Sequence, residues 1–176
     1  EHNTIHDTAL RCYTGNQIVT SYVDGTIIQY NEGYNNKAMK NPLPNNKNAI
    51  MDGSLLDADL QSKNTIWQYN YSHDNAFGLF INCNFANEND VMGEDKTIVR
   101  YNLSVNDKGN NGIIYMNYYS SGYEIYNNTI ITSSDTSPVI LQIKDNRKIH
   151  FFNNLIYNQS STASFRFGNL INTTLD

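Results

Sequence analysis

The phrase "NTIWQYNYSHDN" occupies residues 64–75, and close copies stand at 96–107 ("KTIVRYNLSVND") and 25–36 ("GTIIQYNEGYNN"). Each copy sets an apolar pair ahead of a tyrosine–asparagine step and a polar tail. With that asparagine as origin, the series runs Asn3, Asn31, Asn70, Asn102, Asn128 and Asn154. Its spacings of 28, 39, 32, 26 and 26 reduce to a period of about 26 with insertions. Three positions before the origin stand Ile28, Trp67, Val99, Ile125 and Phe151. Four positions after it stand Asp7, Asn35, Asp74, Asn106, Thr132 and Asn158.

A second apolar stretch follows in every unit: "ALRCY", "LLDADL", "GLFINC", "IIYMNYY", "VILQIK" and "SFRF". No stretch carries a sustained i, i+3, i+4, i+7 stripe, and β-branched and aromatic residues abound, so the units read as short strands. A lone short strand cannot bury its apolar side. Stacked coils can, because each pairs with the coil above and below. The asparagines then have two uses. At a tight corner, asparagine is expected to take the left-handed backbone conformation, and its amide can bond the amide one coil on. Insertions between strands account for the uneven spacing.

Six matched coils with a column of asparagines resemble the right-handed parallel β-helix of the pectate-lyase-like superfamily. The resemblance covers essentially the whole chain. It implies an all-β fold of about six to seven coils with an asparagine ladder, as one domain over residues 1–176. The pattern is already in frame at residue 1, which reads as a piece of a longer protein whose caps lie elsewhere. Leucine-rich repeats and left-handed hexapeptide helices need periods that are absent here.

The formal charge of −5 argues against a surface built to neutralise nucleic-acid phosphates. No apolar run approaches the ~18 residues of a membrane span. Two cysteines, Cys12 and Cys83, make no disulfide framework and read as small buried thiols. His2 and His150 offer no metal-ligand spacing, and no metal is expected in the site. His6–Asp7 and His73–Asp74 read as corner residues of the repeat. The N-x-S/T sequons at Asn70, Asn102 and Asn128 fall on ladder positions.

Alternation within "LLDADL" puts Leu56, Ala58 and Leu60 inward and Asp57 and Asp59 outward, about 6–7 Å apart. The same parity gives an outward column of Arg11 and Tyr13, Asp57 and Asp59, Phe80 and Asn82, Tyr115 and Asn117, Gln142 and Lys144, and Arg166. Rings that stack on pyranose faces and polar groups that bond hydroxyls make this a candidate sugar groove. Arg11, Tyr13, Phe80, Asn82, Tyr115 and Asn117 are its expected substrate-binding residues. Asp52, Asp57 and Asp59 are the candidate catalytic residues, since glycoside hydrolysis uses paired carboxyls at ~5–5.5 Å for retention or ~6.5–9.5 Å for inversion.

The polygalacturonase-like motifs "NTD", "DD" and "GHG" are not intact in the chain. Resemblance to some β-helix glycosidases, lacto-N-biosidases among them, is more useful: their two catalytic aspartates share the spacing of Asp52 and Asp59. It implies Asp52 as acid/base and Asp59 as nucleophile, with Asp57 orienting a hydroxyl or a neighbouring carboxylate. The function expected is hydrolysis of a polysaccharide or oligosaccharide by a secreted or cell-surface protein, with no cofactor. Two rivals stand beside it. One is a Ca²⁺-dependent polysaccharide lyase, with Arg11 as the nearby base. The other is a non-catalytic glycan-binding β-helix.

Overall fold

The computed structural model describes residues 1–10, 15–37, 52–83, 95–117, 120–134, 136–144, 146–168 and 170–176. Its strands pair in parallel into three sheets, of six, six and seven strands. The first sheet holds Thr4–His6, Glu32–Tyr34, Tyr71–His73, Leu103–Val105, Thr129–Thr132 and Leu155–Asn158. The second holds Ile18–Thr20, Leu56–Asp59, Phe80–Cys83, Ile114–Met116, Val139–Ile143 and Ser164–Phe167. The third holds Ile27–Gln29, Ile66–Gln68, Thr97–Arg100, Ser121–Tyr126, Asn146–Phe152 and Leu170–Ile171, with Thr174–Leu175 also on Asn146–Phe152. The chain visits the sheets in rotation, so it is a right-handed parallel β-helix, the hand that twisted parallel strands favour.

Register repeats the sequence frame. Ile28, Trp67, Val99, Ile125 and Phe151 are successive partners across the third sheet. They form one wall of the core, with Trp67, Val99 and Ile125 fully buried. Each such side chain contributes about 1.5–3 kcal/mol through burial. The second sheet contributes Leu56, Phe80, Ile114 and Leu141, which are also successive partners.

The asparagines stand at the corner from the third sheet to the first. Nδ2 of each donates to Oδ1 of the next, from Asn3 to Asn154, at 2.9–3.0 Å. Each Oδ1 also accepts the backbone N–H of the preceding member. These asparagines do not take the left-handed conformation expected of them. The residues just before them do: His2, Tyr30, Tyr69, Tyr101, Asn127 and Asn153, with φ of 53–57°. The ladder asparagine is needed for its amide, so the turn's backbone strain falls on its neighbour. His2, Tyr30, Tyr69 and Tyr101 stack outside it with centroids 5.2–5.3 Å apart, which offsets part of that strain.

A second, shorter column stands at the corner from the first sheet to the second. Backbone N–H of Asn36 donates to Asn75 Oδ1, and that of Asn75 to Asp107 Oδ1. Here too the preceding residues Asn35, Asp74 and Asn106 are left-handed. His73 Nδ1 lies 2.7 Å from Asp74 Oδ2, and its ring stacks on Tyr34. His6 repeats both contacts with Asp7 and Tyr34. Among the described residues, no helix is long and apolar enough to cross a membrane.

Candidate active site

The aspartates lie where the second coil enters the second sheet. Leu56 and Ala58 are fully buried in the core, so strand alternation turns Asp57 and Asp59 outward. Asp52 precedes them in the turn formed with Gly53 and Ser54. Asn16, from the coil below, fixes this turn: its Oδ1 accepts the N–H groups of Gly53 and Ser54 at 3.0 and 2.8 Å. Its Nδ2 donates to Asp57 Oδ2 at 2.6 Å.

Facing outward does not leave Asp57 open, for it is only 5% exposed. Burial is the first cause that pushes its carboxyl up to about 8, and the charges of Asp59 and Asp52 add to it. The Asn16 bond pulls the other way and is outweighed. Asp57 is therefore mostly protonated at neutral pH, with two carboxylates close enough to act on it. Asp52 and Asp59 are half-buried. Asp57 Oδ1 and Asp59 Oδ1 are buried with no hydrogen-bond partner. A proton on Asp57 Oδ1 can satisfy such an oxygen, as a carboxyl–carboxylate contact does. Among the described residues, no three His, Cys, Asp or Glu side chains converge to hold a metal ion.

The outer column on this sheet differs from the expected one. Val19, Asp57, Ile81, Tyr115, Gln142 and Arg166 are successive partners. Phe80 and Asn82 point inward, opposite their expected side. Phe80 packs in the core, edge-on to Trp67 at 5.7 Å. Asn82 is buried, donating to Ala58 O and Tyr123 Oη and accepting from Ser120 Oγ. Neither can contact a ligand on the outer face. The slip arises because Ile81, an apolar residue, faces outward, in a small cluster with Phe77 and Tyr115.

Tyr115 is in the expected column but is 5% exposed. Its hydroxyl donates to Asn117 Oδ1 at 3.1 Å, and Lys144 Nζ lies 5.3 Å from its ring centre. Asn117 is half-buried. Arg11, Tyr13 and Cys12 lie outside the described residues. Among the described residues, the second-sheet strand of that coil is Ile18–Thr20, beyond the expected "ALRCY". Asn16 lies just before that strand and was not singled out in the sequence, although "TGNQ" carries an ordinary Gly–Asn turn signal.

No family model matches the chain. A lacto-N-biosidase of Bifidobacterium longum subsp. longum is 34% identical to it over 136 residues. That alignment takes in 77% of this chain and 7% of the bifidobacterial protein, so the chain spans a small part of that relative's length.

Proposed function

We propose that this β-helix hydrolyses glycosidic bonds, with Asp52 and Asp59 as the reacting pair and Asp57 as the residue that positions them. The observation that carries this reading is the buried Asp57 carboxyl, 5% exposed, beside two more open ones, a setting that favours its proton. The similarity to a lacto-N-biosidase supports the same reaction class and an oligosaccharide substrate.

Exposure divides the roles. Asp57 Oδ1 is enclosed and reaches only protein groups, whereas Asp52 and Asp59 keep exposed surface. Asp59 sits on a strand paired on both sides, which holds its carboxylate still, as a nucleophile requires. A proton on Asp57 Oδ1 would be available to the unpartnered Asp59 Oδ1 and would orient it. Asp52, on the turn, reacts in its protonated form and passes that proton to the glycosidic oxygen as the bond to the anomeric carbon breaks. Asp59 forms the glycosyl ester. Asp52 then takes a proton from the water that attacks that ester, and both carboxyls return to their starting states.

The test is turnover of an aryl lacto-N-bioside, read as released phenol. Turnover is expected to survive a chelator. Asp59→Asn and Asp52→Asn are each expected to lower kcat by about 10³-fold or more. Wild-type activity should fall as Asp57 ionises near pH 8, and Asp57→Asn should lose that alkaline limb while keeping part of its activity. Chelator-sensitive release of an unsaturated product would replace this reading with a lyase. Saturable glycan binding without product would replace it with a binding module.

A further inference from the structure

A cavity of about 540 Å³ opens on the outer face of the third sheet, away from the aspartates. Its shape follows from one glycine. Register places Gly122 level with Lys96 in the coil below and Lys148 in the coil above. All three are left-handed, with φ of 77°, 49° and 52°, so they hold the same corner position in successive coils. Gly122 contributes no side chain, and the result is a notch between two lysines. Their Cα atoms are two coils apart, about 9–10 Å at ~4.8 Å per coil.

The remaining walls are chemically mixed. Ile98, Glu124 and His150 are partners in one outward column beside the notch. Lys96, Lys148, Glu124 and His150 are exposed. The buried Asp95 lies behind the notch, where it accepts from Ser121 N–H. Lysine ammonium groups on flexible stems can close on one anion from both sides. Ile98 offers an apolar surface to the C–H face of a ring, while Glu124 and His150 can bond hydroxyls. The volume falls in the range of small-molecule sites and exceeds what a lone inorganic anion fills.

We infer that this notch is a binding site for a carboxylate-bearing sugar unit, held between Lys96 and Lys148. The site does not depend on the hydrolytic reading, since it lies on another sheet and uses none of the aspartates. It would let the protein choose acidic glycans or hold one at a distance from the cleavage point.

The test is calorimetric titration of the chain with 3′-sialyllactose, lactose and inorganic phosphate. Sialyllactose is expected to bind at least tenfold more tightly than either of the others, and more weakly as salt is raised. The double variant Lys96→Gln/Lys148→Gln should lose that preference. Gly122→Asn gives an independent check, because asparagine tolerates a left-handed backbone and its side chain fills the notch. It should also lose sialyllactose binding while its melting temperature stays near wild type. Equal binding of sialyllactose and lactose would overturn the inference, as would phosphate binding as tight as sialyllactose. So would sialyllactose affinity unchanged in both folded variants.

Discussion

Asn102 uses all four of its amide hydrogen-bonding positions. Its Oδ1 accepts from Asn70 N and Nδ2, and its Nδ2 donates to Trp67 O and Asn128 Oδ1. At 2% exposure none of these groups has water as a substitute. Asn102→Ala is therefore expected to cost about 2–4 kcal/mol, measured by denaturant unfolding, because partners on both sides are left unsatisfied. The ladder was legible in the sequence because every coil needs the same amide at the same step. The left-handed positions were not. Tyrosine seldom takes that conformation, yet Tyr30, Tyr69 and Tyr101 do so. Their reward is ring stacking with the coil above or below, and a stack between coils leaves no mark within one coil's sequence.

At the level of strands and corners, two glycines separate soft from hard packing. Gly33 lies on the inner side of the first sheet, and a Cβ there would meet the side chains of Leu55 and Gln17. Those are ends of side chains that can turn away. A Cβ at Gly78 would meet the backbone of Ile113 in the next coil, including its Cα and carbonyl. Backbone cannot yield without parting the coils. Gly78→Ala is expected to cost more than about 3 kcal/mol, and Gly33→Ala about 1–2 kcal/mol. Thermal melts of the pair check the ranking, and equal losses would mean that the coils slide more freely than their register implies. Strand parity has a similar limit. It gave the correct side for Asp57 and Asp59, where Leu56 and Ala58 mark the interior plainly. In "GLFINC" it failed, because apolar residues fill both faces: Phe80 in the core and Ile81 in the outer cluster. A one-residue slip then reverses every side chain.

Across the whole molecule, burying carboxyls ties stability to pH. Asp57 is pushed up to about 8 and Asp95 and Asp107 to about 6, in each case chiefly by burial. In the unfolded chain all three return to the ordinary aspartate range near ~4. Below that range both states hold these protons, and the stability the protonated groups allow is fully present. As pH rises, the unfolded chain releases its protons first, so unfolding becomes progressively easier until the folded groups ionise. The loss from Asp95 and Asp107 is complete a little above pH 6, and that from Asp57 above pH 8. Asp7 works in the opposite sense, held low by His6 and Asn35, but it lies at the surface, where solvent screens the effect. The melting temperature is therefore expected to be highest at about pH 4 and to fall by pH 8. Asp107→Asn isolates one contribution. An amide there can still accept from Asn75 N–H through its oxygen and donate to Ser72 and Ser104. It also restores the residue type found at Asn36 and Asn75 in that column. The variant should match wild type at about pH 4 and exceed it at pH 8, by on the order of 2 kcal/mol. A wild-type melting temperature that climbs from pH 5 to pH 8 would mean that these carboxylates are stabilised by their hydrogen bonds more than burial penalises them. The protonated Asp57 on which the hydrolytic reading depends would then be lost as well.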